Sequence, residues 1–142
     1  MQLSTKSRYA SRALVELALK YGQGLVKLKD IADSQYISLK YLEQVMTPLR
    51  VSGYVKTQKG SQGGYILARS PESINLFEIV ECVEGSLALV DCLNNPEQCE
   101  RVEICATREA WMSLKEVFSR ELSKITLADL AERQCVLNRT RK

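Results

Sequence analysis

The chain has 142 residues, 45% of them apolar, with three prolines and no low-complexity run, a composition that can bury one domain's core and excludes a disordered or fibrous chain. Histidine is absent, which removes the commonest general base, the commonest zinc ligand and any Ser-His or Cys-His nucleophile, so an enzymatic reading starts without its usual parts. The net charge of +3 conceals an asymmetry: residues 1–70 hold 11 Lys and Arg against 4 Asp and Glu, and residues 71–142 hold 9 against 13, so a basic half suited to a polyanion is joined to an acidic half.

The apolar stretches fall far short of the ~20 residues a membrane span needs. The opening Met1-Gln2-Leu3-Ser4-Thr5-Lys6 lacks the apolar core of a signal peptide. The expected location is the cytoplasm, with no membrane partner. Five cysteines in a reducing compartment then point to metal binding or redox chemistry rather than to a disulfide framework.

Ala10, Leu14, Leu17, Ala18 and Tyr21 share one helical face, which predicts an amphipathic helix from Arg8 to about Tyr21, capped by Ser7 and ended by Gly22 and Gly24. A short helix follows over Leu28–Ser34, then the break Gln35-Tyr36-Ile37-Ser38. Ser38 caps a further helix from Leu39 to about Val51, with Leu42, Val45, Met46 and Leu49 on its apolar face and Lys40, Glu43, Gln44 and Thr47 opposite. Two short helices around a tight turn make a helix-turn-helix. Pro48 is expected to kink the last turn and Gly53 to close it.

Tyr54–Thr57 and Tyr65–Ala68 read as paired strands around a flexible, basic tip over 58–64, and a hairpin directly after a helix-turn-helix is a wing. Asn75-Leu76-Phe77-Glu78 has capping-box spacing and opens a helix that ends at Gly85. Residues 86–105 have weak periodicity and read as a loop carrying Cys92, Cys99 and Cys105. From Thr107 to Ile125 a seam of Trp111, Leu114, Phe118, Leu122 and Ile125, broadened by Met112 and Val117, predicts a long helix that wants a partner. Thr126 caps a last short helix, Leu127 to about Arg133, and the basic tail from Asn138 to Lys142 is expected to be loose.

The fold expected is therefore mostly α with a small β-hairpin wing: a winged helix-turn-helix over 1–85, a cysteine loop over 86–106, and a dimerisation helix and tail over 107–142. In such a head the second helix of the motif faces the major groove, which places Ser38, Lys40, Tyr41, Glu43 and Gln44 at DNA. Glu43 is the informative one. A carboxylate there is repelled by phosphates and makes sense chiefly as an acceptor for cytosine N4. In the wing, Lys59 suits a minor groove or adjacent phosphates, assisted by Lys56, Thr57, Gln58 and Ser61, and Arg8 with Lys6 stands at the start of the first helix, where a phosphate can be held.

Cys92-x6-Cys99-x5-Cys105 puts three thiols within fourteen residues of one polar loop. Thiolate is the standard iron–sulfur ligand. Zinc fits less well, since its structural sites show closer cysteine pairs and four ligands, and a redox pair of thiols stays open. Cys82 and Cys135, each beside a valine, read as packing residues.

Ser7-Arg8-Tyr9-Ala10, Ile37-Ser38-Leu39-Lys40-Tyr41-Leu42-Glu43-Gln44, Gly63-Gly64-Tyr65 and Glu84-Gly85 together resemble the BadM/IscR/NsrR/CymR group of bacterial winged-helix regulators, over nearly the whole chain. The resemblance implies a homodimer in which the long helix of each subunit packs on its partner, two wings reading a pseudo-palindromic site on double-stranded DNA, and no enzymatic activity. It implies Cys92, Cys99 and Cys105 as ligands of an iron–sulfur cluster, [2Fe-2S] or [4Fe-4S], with Glu43 reading a base and Lys59 entering the minor groove. The chain departs from that pattern at the fourth ligand, where a histidine or an acidic residue gives way to Arg108 and Arg8. The function expected is a transcription regulator, in the sense of a repressor, controlled by the cluster. Sensing of thiol oxidation, nitric oxide or zinc at the same cysteines is the alternative, and an iron–sulfur electron carrier a more distant one.

Overall fold

The computed structural model describes residues 2–141. The first helix, α1 (Thr5–Leu19), is followed by α2 (Leu28–Gln35) and α3 (Leu39–Val51), then by an antiparallel hairpin of β1 (Val55–Gln58) and β2 (Gly64–Leu67). Next come α4 (Leu76–Glu84), a loop of three single-turn 3₁₀ helices, α5 (Ala106–Ser123) and α6 (Leu127–Thr140). This is the expected winged helix-turn-helix with a long helix beyond it.

The core forms because each helix of the head has one apolar stripe to bury. Ala10, Ala13, Leu14 and Leu17 of α1 meet Ile31 and Ala32 of α2, Leu42, Val45, Met46 and Leu49 of α3, and Ile79 of α4, all essentially without exposure. The hairpin closes the layer with Val55 and Leu67. Val26 pairs with Tyr65 through two backbone hydrogen bonds of 2.9 and 2.8 Å, adding a third rung to the wing from the chain ahead of α2.

α1 starts three residues before its expected first turn, and Ser7 is not its cap. Ser4 takes the N-cap place without a side-chain bond, while Ser7 is buried and donates its hydroxyl to Glu84 Oε1 at 2.6 Å. The same oxygen accepts the backbone N–H of Ser4 at 2.7 Å. The carboxylate from the end of α4 thus satisfies an orphan amide at the start of α1, a task sequence reasoning assigned to a local serine. The strands are each one residue earlier or later than expected, since Tyr54 bonds outside the ladder, donating to Leu49 and accepting from Ala68. α3 runs through Pro48 to Val51 without ending.

The larger correction is at the C-terminus. α6 extends to Thr140 instead of stopping near Arg133, so the residues expected to be a loose tail are helical up to Thr140; Lys142 lies outside the described residues. No glycine or proline interrupts 127–140, and the capping box of Thr126 with Asp129 starts the helix firmly. α6 returns across α1, with Leu127 fully buried and Leu130 against the same core, and the chain is pinned there by Leu76 N–H to Ile125 O (2.8 Å) and Leu127 N–H to Ile74 O (2.9 Å). Cys135 is exposed on α6 and does not pack, whereas Cys82 lies against the core, its Sγ 3.5 Å from the Pro48 carbonyl. Among the described residues no helix is long and apolar enough to cross a membrane.

The clasp at Glu84 has a pH signature. Burial opposes its charge, but the hydrogen bonds from Ser4 and Ser7 outweigh that and hold the carboxyl below its ordinary range. The folded-state value is depressed, so its stabilisation is complete above the unfolded carboxylate range of ~4.3 and is lost as pH falls through the folded value. Glu84→Ala is expected to lower Tm at pH 7, with the gap to wild type closing in melts below pH 4. A constant gap at all pH values would assign the loss to packing alone.

Candidate nucleic-acid interface and cysteine loop

α3 is positioned by burial on one side and capping at its start. Ser38 Oγ accepts the N–H of Tyr41 at 3.2 Å, and the four buried residues of the helix turn Lys40, Glu43, Gln44 and Thr47 to solvent. Lys40, Glu43 and Gln44 are thus free side chains on the face the motif offers to a groove. Tyr41 is half-buried, its ring meeting Tyr9 edge-on at 5.6 Å, while Arg12 stands 5.5 Å over the Tyr9 ring. Tyr41 therefore packs at the border of this face. Arg12 also donates to the side chain of Gln35 at 2.8 Å and to its backbone carbonyl, tying α1 to the end of α2.

Lys56, Thr57, Gln58, Lys59 and Ser61 are all exposed on the wing, and the register pairs Lys56 with Ile66 and Gln58 with Gly64. Arg8 is placed elsewhere: it lines the groove between α1 and α6, with Arg12 and Arg133. The α1 residues that share a basin with Tyr36, Ser38 and Tyr41 are Thr5 and Tyr9. The sequence places Thr5 beside Arg8 at a phosphate-holding helix start but gives no such place to Tyr9 or Tyr36: a half-turn of helix decides which side Tyr9 faces, and Tyr36 reads only as part of a break between helices.

The 86–105 loop is held as 3₁₀ turns at Asp91–Leu93, Pro96–Gln98 and Val102–Ile104. Cys92 lies in the first, Cys99 closes the second, and Cys105 stands at the N-cap of α5. All three thiols are free and partly exposed. The structure does not gather them: among the described residues no three Cys, Asp or Glu side chains converge as a metal site. Their chemistry suits a soft metal or a cluster, and Cys105 is held below the usual thiol range by the Thr107 hydroxyl 3.2 Å away and then by the Arg108 backbone amide. Holding a cluster with all three requires the loop to close. Arg108 reaches forward along its own helix, donating to Met112 Sδ at 3.2 Å.

The α5 seam divides in two. Trp111 and Leu114 are exposed, with Met112 and Val117 beside them, whereas Phe118, Leu122 and Ile125 are half-buried. Leu122 belongs to the groove of about 400 Å³ lined by Val15, Leu76, Val80, Leu130 and Leu137. The helix is thus anchored to its own head at its C-terminal end and carries an unpartnered apolar face at the other.

A helix-turn-helix with a polar outward face, followed by a wing and a partly exposed amphipathic helix, defines a DNA-binding transcription regulator of the winged-helix class. Residues 3–133 match the family model described as Rrf2, iron-dependent transcriptional regulator, and the chain belongs to the Rrf2 family. It is 39% identical over 130 residues to Protein rrf2 of Nitratidesulfovibrio vulgaris, covering 92% of this chain and 87% of that one. Solved structures of two named relatives are each similar over 94% of the chain. CymR of B. subtilis, described as the global cysteine regulator, matches at 38% identity with a TM-score of 0.79 over 98% of its length. T. potens IscR matches at 37% identity with a TM-score of 0.77 over 88% of its length. The relatives are transcriptional regulators and not enzymes, and regulators of this family bind DNA.

The wing owes its shape to two glycines. A Cβ on Gly63 would collide with the backbone carbonyl of Gln58, and one on Gly64 would meet Val26 O at 2.6 Å, in both cases against main chain that cannot step aside. Gly63→Ala and Gly64→Ala are each expected to lower Tm and to open the Val26–Tyr65 pairing, read as faster amide exchange at Tyr65. Gly60→Ala differs: its added carbon meets nothing, so only the backbone cost of its positive φ of 104° applies, and the Tyr65 amide stays protected.

Proposed function

We propose that this chain is a cytoplasmic, homodimeric repressor whose binding to a pseudo-palindromic operator is controlled by an iron–sulfur cluster held by Cys92, Cys99 and Cys105. The observation that carries the reading is the junction at Gly85: a head whose first 70 residues are basic and whose polar recognition face is free is joined there to a loop bearing three free, partly exposed thiols. In the proposed division of labour, residues 1–85 bind DNA, 86–106 hold the cluster, and 107–142 join two subunits. Ser38, Lys40, Tyr41, Glu43 and Gln44 meet the major groove, and Lys56, Thr57, Gln58, Lys59 and Ser61 meet the wing's groove and phosphates. Arg8 serves DNA only at the flank, given its place on the groove between α1 and α6.

Trp111 and Leu114, exposed in the single subunit, are the residues of the α5 seam that the partner covers, and Phe118, Leu122 and Ile125 fix the helix from which they project. The cluster supplies a group that binds one arrangement of the loop better than another. Such a ligand shifts the DNA-binding equilibrium only by its differential affinity, commonly ~1–3 kcal/mol. The loop's residues do the rest: three thiols present themselves, Thr107 and the Arg108 amide favour the thiolate at Cys105, and Gly85 and the one-turn helices leave the segment able to close.

A second reading keeps the head and makes the cysteines a sensor of thiol oxidation, nitric oxide or zinc. It is supported by the separation of the three thiols and by the thiolate bias at Cys105, together with the similarity to CymR.

Protein purified without oxygen is expected to be coloured and to contain iron and acid-labile sulfide. Its cluster-loaded and cluster-free forms should differ in affinity for a fragment of its own promoter by about 5–150-fold, and Cys99→Ser should bleach it without lowering the Tm of the head. A colourless protein that binds the fragment tightly would transfer the cysteines to the second reading. Independently, Lys59→Ala is expected to weaken all duplexes alike and reduce the salt slope of log K by about 0.9. Glu43→Ala should instead raise nonspecific binding and relax discrimination at one base pair by ~1–3 kcal/mol in competition titrations.

A further inference from the structure

Among the described residues Tyr36 is alone, glycines aside, in having a positive φ, at 54°, and its side chain is 89% exposed. In that conformation the Cβ of an L residue crowds the following carbonyl, and a bulky residue there is an outlier. The turn does need the conformation. The left-handed residue lets Ile37 N–H reach Ala32 O at 3.0 Å, which buries Ile37 and sets Ser38 to cap α3. What the turn needs, however, is glycine-like or asparagine-like backbone. It carries instead a phenol ring that finds almost nothing to pack on in the free chain.

The ring stands at the edge of a shallow basin lined also by Thr5, Tyr9, Ser38 and Tyr41, at the N-terminal end of the helix that presents Lys40, Glu43 and Gln44. It belongs to the half of the chain with 11 basic against 4 acidic residues. We propose that Tyr36 is a DNA-contacting residue, its ring lying along the sugar–phosphate strand that flanks the bases met by α3 and its hydroxyl donating to a phosphate oxygen. This deepens the DNA-binding reading above and rests on it. Tyrosine joins a flat apolar body to a neutral donor, and such contacts fix register rather than read sequence. Being uncharged, it displaces no counterion on binding.

The test uses the full chain with Tyr36→Gly and Tyr36→Asn, both at ease in the left-handed region, titrated against a fragment of its own promoter at several salt concentrations and melted in parallel. The expected result is a Tm held or raised by a few degrees, affinity lowered about three- to tenfold, and an unchanged salt slope. Tyr36→Phe, which keeps the ring and loses the donor, should fall between the two. Wild-type affinity in Tyr36→Gly would overturn the inference while leaving the DNA-binding reading standing, and so would an affinity loss that travels with a lower Tm, because Tyr36 would then be a structural part of the turn. A wild-type protein that binds no duplex at any salt would overturn both.

Discussion

Everything in this molecule is arranged around the buried face of α1. Ala10 and Ala13 have so little side chain that neighbouring helices can approach closely, and Leu14 and Leu17 fill what remains, all four with at most 2% exposure. α2 and α3 pack against one flank of this helix and α4 and α6 against another. The recognition helix and the C-terminal helix are therefore held by the same rod. At protein packing densities a rod of this kind transmits displacement, because a well-filled interior has few voids to absorb it.

Glu84 is the second joint in that arrangement. Its carboxylate closes the start of α1 with two hydrogen bonds, and the next residue, Gly85, turns the chain out of the core with a φ of 83° and begins the cysteine loop. From Gly85 to Thr126 no residue is fully buried in the single subunit. Segments with so little buried apolar area open and rearrange at low free-energy cost. The buried core lies in the head, and the chain leaves it at this one glycine.

Much of this was legible in the residues. The apolar stripes of α1, α3 and α4 repeat at helical spacing, Ser38 and the Asn75–Glu78 box mark their helices' starts, and glycine-rich sequence marks the wing. The four short stretches that carry the family resemblance looked independent along the chain, yet Ser7 from the first and Glu84 from the last meet at 2.6 Å. That meeting accounts for both residue types: a buried hydroxyl needs an acceptor, and a half-buried carboxylate is held by donors. Ser7 looks like a local cap because the partner that satisfies it lies 77 residues away. The end of α6 is not legible in the same way: its polar, basic sequence looks like a loose tail, although nothing in 134–140 breaks a helix that one buried turn at Leu127 has already nucleated.

By itself the sequence determined local matters: which segments are helical, where they are capped, which side of α3 is apolar, and that three cysteines share one polar loop. These depend on periods of a few residues and on the chemistry of single side chains. Only the tertiary structure decided which side of α1 faces the recognition helix, placing Thr5 and Tyr9 there and Arg8 toward α6. It alone decided that the lower half of the α5 seam is covered by its own head while Trp111 and Leu114 remain bare, that Cys135 is exposed, and that Tyr36 holds a left-handed turn with its ring in solvent. The physical reason is common to all of these: burial and strain are properties of what surrounds a residue, and the surroundings come from parts of the chain that are distant along it.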